Sequence, residues 1–308
     1  MISNRSHSRG SENISADSDQ ADRAGRANQK RSIGMKARVC LLGAAAVGAM
    51  AVPAAASAST TYLIGSGSSA AQPYMEALFS AYGHIHKNIR FRYNPDGGNA
   101  GVKDVQNGNS EFAIQTAPPV AANAGTIFYK LFRDALCIDV NSKNKVSSLS
   151  ITQTRDIFEG DFTNWGQVSK SSGLGSQAIS PQGRNTAAGQ YTYFVSAVLN
   201  GGKEASDVTQ LTSDGLVKNA VVKDKDAIGY VGLANSAARG EKAVKIGGRA
   251  CTRANVKSEK YPLWRYDWAV LPKSHQNTQV VAFFNWVIHS AAAGKVINKA
   301  GAVAAFNS

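Results

Sequence analysis

Apolar and polar positions along this chain follow two different periods, and the period changes at clusters of glycine, serine and proline. Thr60 to Ile64 is a short β-rich run that stops in GSGSSAAQPY, and from Pro73 the segment PYMEALFSAYGHIH carries apolar residues at helical spacing. An alternating strand, IRFRYN, then runs into a turn at Gly97-Gly98, followed by a short helix bearing Val102 and Val105. SEFAIQTAPP predicts a strand stopped by Pro118 and Pro119, and KLFRDALCIDVN a longer buried strand built on Leu131, Leu136, Ile138 and Val140. The middle of the chain repeats the logic. ITQTRDIFEGDFTNWGQV predicts a helix ending near Gly160, GRNTAAGQYTYFVSAVL a loop feeding a helix, and SDGLVKNAVVKDKDAIGYVGLA a helix followed by a glycine-punctuated strand. YPLWRYDWAVLP predicts a strand preceded by a proline, and TQVVAFFNWVIHSAAAGKVINKAG a closing helix in two pieces. Strands and helices in alternation predict α/β domains with mostly parallel central sheets. No repeat and no strong linker divides the chain, which fits domains built from interleaved segments.

The beginning of the chain follows another pattern. From Met35, two basic residues (Lys36 and Arg38) precede an apolar run from Val39 to Val52, and small residues surround Ala56-Ser57-Ala58. That is the layout of a secretory signal peptide over residues 35–58 with cleavage near Ala58, too short and wrongly flanked for a spanning helix. Residues 1–34 read as a disordered extension or as sequence upstream of a true start at Met35. Cys40 precedes most of the apolar run, so it does not read as a lipid-anchored cysteine. The remaining 250 residues suit two domains. The chain carries a net charge of +13, of which the first 58 residues hold +4, so the exported part keeps +9 and attracts anions. Export also changes the reading of the two remaining cysteines: in an oxidising compartment, Cys137 and Cys251 are expected to be bridged.

Three loops of small residues each lead from a strand into a helix or turn: GSGSSA, PDGGNAG and GRNTAAG. In open α/β sheets ligands bind beyond the carboxyl ends of the strands. Helix N-termini there present free N–H groups and the positive end of a dipole. Arg184, in the third loop, adds a planar fork of donors suited to a tetrahedral oxyanion. Any one such loop is ordinary capping chemistry; three in this order suggest one anion site. His84 and His86 sit in what reads as a polar connector, a solvated pair and not a zinc site, and Trp165, Trp264, Trp268 and Trp286 read as core or hinge residues. No nucleophile elbow, paired carboxylates or triad is legible, so an enzyme is not expected.

At these loops the chain resembles the phosphate-specific solute-binding proteins of bacterial ABC transporters. IGSGSSAAQPYMEALFSAY, YNPDGGNAGVKDV, EFAIQTAPP, IFEGDFTNWGQV, DAIGYVGLA and YPLWRYDWAV match that family's landmarks in order, from about residue 60 to 305. The resemblance implies a two-lobed type II periplasmic-binding-protein fold, each lobe a mostly parallel sheet flanked by helices, joined by a two-strand hinge. It implies lobe one from residues 59–131 and 262–308 and lobe two from residues 132–261, with the hinge crossed near Phe132 and Tyr261. It also implies phosphate or a related oxyanion as ligand and the membrane permease of an ABC transporter as partner. No cofactor, no metal, no nucleic acid and no second copy of the chain is expected.

Carried over residue by residue, the resemblance assigns the anion to Ser69, Ala70, Gly98, Asn99, Thr116, Arg184, Ala188, Gly189 and Gln190. It also marks departures. A family serine falls on Gly98, the family aspartate on Thr116, and the family Ser-Gly-Thr becomes Ala188-Gly189-Gln190. The carboxylate matters because it accepts a hydrogen bond from a ligand that still carries a proton and repels one that is fully ionised. Thr116 both donates and accepts, so with Gln190 it is expected to set selectivity. Replacing Arg184 is expected to abolish binding and leave the fold intact. A protein with a worn site, acting as an extracellular adhesion or scaffold through its basic charge, is the alternative.

Overall fold

Proline, glycine and serine end the elements of this protein where the hydrophobic period changes. The computed structural model describes residues 59–305; the extension, the signal peptide and its cleavage point lie outside the described residues. The chain starts with β1 (Thr61–Gly67), α1 (Gln72–Ile85), β2 (Ile89–Asn94), α2 (Gly98–Gln106) and β3 (Phe112–Gln115). The long β4 (Thr126–Asn141) follows. Next come β5 (Ser148–Leu149), α3 (Ile151–Phe158), α4 (Trp165–Val168), β6 (Ser180–Arg184), α5 (Gly189–Ala197), β7 (Thr209–Leu211), α6 (Asp214–Lys223) and β8 (Ala227–Gly232). The short elements β9 (Glu241–Ala243), β10 (Lys245–Ile246) and α7 (Arg253–Lys257) lead to β11 (Trp264–Pro272), α8 (Thr278–His289), α9 (Ala291–Ala300) and β12 (Val303–Ala304).

Local chemistry explains the boundaries. Pro73 opens α1, where a missing N–H costs nothing, and α1 buries Tyr74, Met75, Leu78 and Tyr82 along one face. A reciprocal capping box starts α3: Gln153 N–H donates to Ser150 Oγ, and Ser150 N–H donates to Gln153 Oε1, both at 2.9 Å. Gly160, at φ +87°, lets the chain leave α3 in a conformation that a side chain would disfavour. The closing helix is two pieces, α8 and α9, that meet at 75°.

Among the described residues most strands form a curled mixed sheet in the order β2-β1-β3-β11-β4-β8-β6-β7, with β9 and β12 each joined to β4, while β5 and β10 pair in a separate two-stranded sheet. The outer pairs β1/β2, β1/β3, β6/β7 and β6/β8 are parallel, as the alternating pattern predicts. The inner pairs β11/β3, β11/β4 and β4/β8 are antiparallel, which the sequence pattern does not show. The reason is that β4 and β11 do not belong to βαβ units; both run between two separate cores. One core gathers Leu63, Tyr74, Leu78, Phe112, Phe132, Phe283 and Phe284. The other gathers Ile138, Phe158, Trp165, Phe194, Tyr230 and Tyr261. Each is built on aromatic contacts, Phe194 stacking on Tyr230 at 4.2 Å in the second and Phe79 on Phe91 at 4.3 Å in the first. Two cores with crossing strands make the two-lobed architecture. Cys137 on β4 is disulfide-bonded to Cys251, with Cα atoms 5.6 Å apart.

One detail differs from the sequence reading. His84 lies in the last turn of α1, its Nδ1 2.6 Å from the Ser80 carbonyl, and His86 stacks on Tyr82 at 4.1 Å, so the pair caps a helix and does not sit in a loop. The tryptophans pack as the sequence reading has them: Trp165 is fully buried, its Nε1 donating to the Asp226 carbonyl at 3.0 Å, Trp264 and Trp286 pack half-buried against the two cores, and Trp268 lies on the crossing strand β11.

Candidate functional site

The carboxyl ends of β1, β3 and β6, and the helices that follow β1 and β6, meet α2 and α6 where the two cores face each other. Two small-residue loops meet there because Gly97 has no side chain to hold the second loop off. A Cβ on Gly97, at φ +114°, would lie 2.4 Å from the Ala187 carbonyl oxygen. Across this contact Asn99 N–H and Ala100 N–H both donate to Ala187 O, at 2.9 and 3.2 Å. The Asn99 side chain extends the link, its Nδ2 donating to Thr186 O and to Thr192 Oγ1, each at 2.8 Å. The first-turn donors of α2 are thus engaged with the loop that opens α5.

Gln115, at the end of β3, fills the space between these helix N-termini. Its Oε1 accepts from Thr116 N–H at 2.8 Å and from Ala117 N–H at 3.2 Å, and its Nε2 donates to Asn99 Oδ1 at 2.8 Å. A Cβ on Gly98 would come within 2.2 Å of that Oε1, and one on Gly189 within 1.6 Å. Both positions are glycine because the amide oxygen of Gln115 already stands there. Thr116 is buried beside it, and its Oγ1 has no hydrogen-bond partner among the described residues.

Arg184 ends β6 and is only 1% exposed. Its Nε donates to Leu211 O at 3.1 Å and its Nη2 to Thr212 O at 2.9 Å, which fix the guanidinium plane. Its Nη1 donates to Gln190 Oε1 and to a carboxylate oxygen of Asp214. Asp214, also 1% exposed, opens α6 behind the Ser213 cap. Its second oxygen accepts from Gly232 N–H at 2.7 Å, and from Asn235 Nδ2 and Gln190 Nε2 at 3.3 Å. Asp214 N–H reaches back across the junction to Ser69 Oγ at 3.4 Å. A buried guanidinium needs a partner, and here the partner is a carboxylate stabilised by a helix N-terminus and three further donors.

A second charged group adjoins this one on the crossing strands. Arg265 Nη2 donates to Asp134 Oδ2 at 2.8 Å, and Arg265 Nε lies 3.4 Å from Asp267 Oδ1. Asp134 Oδ1 accepts from the Tyr74 hydroxyl at 2.9 Å and from Leu233 N–H at 3.3 Å. The three charged side chains are 4% exposed or less, so one arginine faces two carboxylates away from water. Burial first, then the charge of Asp134, push the Asp267 carboxyl well above the usual range. Gly232 ties the two groups together: a Cβ on it would lie 3.2 Å from Asp134 Oδ2 and 3.0 Å from Ala70 Cβ.

Ser69, Ala70, Gly98, Asn99, Thr116, Arg184, Ala188, Gly189 and Gln190 are brought together at this junction, where several of them are bonded to other protein groups. Asn99 and Gln190 bind other protein groups, and Arg184 is paired with Asp214. Sequence reasoning missed Asp214, Gln115, Asp134 and Arg265. Ser213-Asp214-Gly215 reads as an ordinary helix start, and nothing in the sequence brings Asp214 to an arginine thirty residues earlier. Gln115 gave a signal, a lone amide in a strand whose other positions are apolar and buried.

Residues 53–291, well over half of the chain, match the family model described as a PBP superfamily domain. Among curated proteins, Protein SphX of Synechococcus elongatus is 29% identical over 191 residues, which cover 58% of this chain and 56% of that protein. The chain thus spans little more than half the length of that relative. Phosphate-binding protein PstS of Borreliella burgdorferi is 23% identical over 238 residues, covering 73% of this chain and 83% of its own. A solved substrate-binding protein with bound phosphate, from Clostridium perfringens, superposes with a TM-score of 0.73 at 23% identity, covering 79% of this chain and 99% of its own. At that identity the superposition establishes the fold, and the two cores, the crossing strands and the family match agree: the chain belongs to the PBP superfamily.

Proposed function

We propose that this protein captures phosphate, or a related tetrahedral oxyanion, between its two lobes and delivers it to the permease of an ABC transporter. The observation that carries the reading is the buried Arg184, held with its fork of donors at the lobe junction where α1, α2 and α5 begin. In this reading lobe one comprises residues 59–131 and 262–308, lobe two comprises 132–261, and opening pivots on β4 and β11. The leader at 35–58 directs export, and the exported chain works as a monomer without catalysis. The names of its relatives, two of them phosphate-binding by description, support the ligand class.

The mechanism follows from what already occupies the donors. Asp214 is an internal acceptor from the opposite lobe, so parting the lobes frees Ser69 Oγ from Asp214 N–H and the Asn99 side chain from Thr186 and Thr192, while Thr116 Oγ1 is already unpartnered among the described residues. An entering anion then takes a share of Arg184, with Ser69 Oγ, Thr116 Oγ1 and the loop amides near Ala70, Gly98, Ala188, Gly189 and Gln190 as further donors. Asp214 stays beside it as an acceptor, which supplies the role expected to be lost at Thr116. Phosphate that still carries a proton can donate to Asp214, whereas sulfate has no hydrogen to give and meets a like charge. The test is calorimetric titration of anion-stripped protein with phosphate and with sulfate, across the second ionisation of phosphate. Binding of phosphate in preference to sulfate is the expected result. Absence of heat with both anions overturns the reading in favour of an extracellular adhesion or scaffold role.

A further inference from the structure

An oxygen-lined cavity lies against the end of β1, where the chain runs into the first loop, and beside β2. It measures about 420 Å³, opens to solvent beside the edge strand β2, and is lined by Ser66, Asn94, Asp96, Asp104, Asn109 and Ser110 among others. Its donor set is made by the fold. Ser66 and Asn94 are register partners on β1 and β2, so both side chains point to the same face of the sheet. Asp96 follows β2 directly, Asp104 lies on α2, and Asn109 and Ser110 form the turn that leads to β3.

Two observations point to a ligand. First, Asp96 and Asp104 line the same cavity, and the hydrogen bonds to Asp96 come from uncharged donors, Gly67 N–H at 3.2 Å and Asn94 Nδ2 at 3.0 Å, so neither carboxylate's charge is balanced there. No salt bridge reaches either one among the described residues, and the Arg92 guanidinium on the same wall is stacked over the Tyr62 ring at 4.2 Å. Second, Ser66 lines the cavity at 1% exposure, and its Oγ has no hydrogen-bond partner among the described residues.

We propose that this cavity is a binding site for a hard divalent cation, calcium in preference to magnesium. Carboxylate, amide and hydroxyl oxygens are the ligands such ions take. Calcium accepts an irregular set of six to eight oxygens that waters can complete, whereas magnesium demands a near-octahedral one. Two carboxylates rather than three or four, with Arg92 nearby, set a weak affinity, about 10⁻⁴–10⁻³ M as in extracellular calcium modules. The cation would also brace the anion loop. Asp96 Oδ1 accepts from Gly67 N–H at 3.2 Å, and Gly97 N–H donates to Gly67 O at 2.8 Å. The proposal goes beyond the anion reading and stands without it.

The experiment is titration of the chelator-treated protein with calcium chloride, then with magnesium chloride, read by calorimetry and by the melting temperature. Calcium is expected to bind with one-to-one stoichiometry and to raise the melting temperature progressively with its concentration. Asp104→Asn, on a partly exposed helix face, is expected to weaken calcium at least tenfold, and Arg184→Lys to leave it unchanged. A protein that shows no calcium heat up to ten millimolar (on the order of ten times the weaker affinity) overturns the proposal. So does calcium binding that persists in Asp96→Asn/Asp104→Asn.

Discussion

Arg184 is the residue on which the anion reading rests, and its surroundings determine how it can be tested. The sequence reading expects removal of Arg184 to spare the fold. The structure argues otherwise, since deleting one partner of a buried ion pair leaves the other uncompensated at a cost of about 3–5 kcal/mol. Arg184→Lys is the better probe, because it keeps the charge beside Asp214 and loses the fork. Losing one charged hydrogen bond costs about 1.5–3 kcal/mol, so Arg184→Lys should bind phosphate one to two powers of ten more weakly while circular dichroism is unchanged. Equal affinity would remove Arg184 from the site. Asp214→Asn tests selectivity: the phosphate-to-sulfate affinity ratio should fall, since an amide can donate to sulfate where a carboxylate repels it. An unaltered ratio would return selectivity to Thr116 and Gln190. Arg184 drew attention as a cation in a small-residue loop before a helix, and it was the family resemblance, which keeps an arginine there, that assigned it a role. Asp214 was not legible, because capping aspartates are common and its partner is distant in sequence.

The elements of each lobe were legible as periods, and the helix ends as capping and proline chemistry. What the pattern does not reveal is that β4 and β11 pair antiparallel with each other and carry Asp134, Arg265 and Asp267 at their crossing. Charged residues in a strand read as solvent-facing; here Asp134, Arg265 and Asp267 take the buried positions, and the aromatic Trp264, Tyr266 and Trp268 take the half-exposed ones between them. β11 also shifts register between Asp267 and Trp268, so the irregularity coincides with the charged cluster. One arginine between two buried carboxylates predicts unequal consequences. Arg265→Met should destabilise strongly, about 3–5 kcal/mol, because both acids are stranded. Asp267→Asn should be close to neutral, because burial and the charge of Asp134 already favour the uncharged form of Asp267. Chemical denaturation of the two variants checks this, and similar losses in both would contradict it.

Across the whole molecule, buried acids are concentrated in the segment between the two strand crossings. Burial raises Asp139 to about 6, and Glu204 and Glu241 to about 7. Below the ordinary glutamate value of 4.5, Glu204 is protonated whether the chain is folded or not. Between there and about 7 the folded form retains a proton that the unfolded form has released, so stability falls as pH rises and the loss is complete above the folded value. The melting temperature should therefore decline from mildly acidic to neutral pH, and Glu204→Gln should flatten the decline. A melting temperature that climbs over that window would show that the carboxylates are ionised in the fold. Glu204 also matters to the site, since Tyr230 donates to it at 2.9 Å while accepting from Arg184 N–H at 2.9 Å.

The disulfide has a mechanical consequence. Cys137 lies just inside the second core on the outgoing strand, Cys251 precedes the return, and Tyr261 donates to Leu136 O at 3.0 Å beside them. A pull on the two ends of the chain reaches this point and passes through the sulfur–sulfur bond, bypassing the sequence separation of 114 residues between them. That segment would contribute no extension until the bond is reduced. At about 3.3–3.6 Å per extended residue, reduction should release roughly 400 Å of hidden length in an optical trap. One half of the molecule is thus insulated from tension carried by the other, and a protein drawn out by its two ends would surrender its first core while the second stays shut.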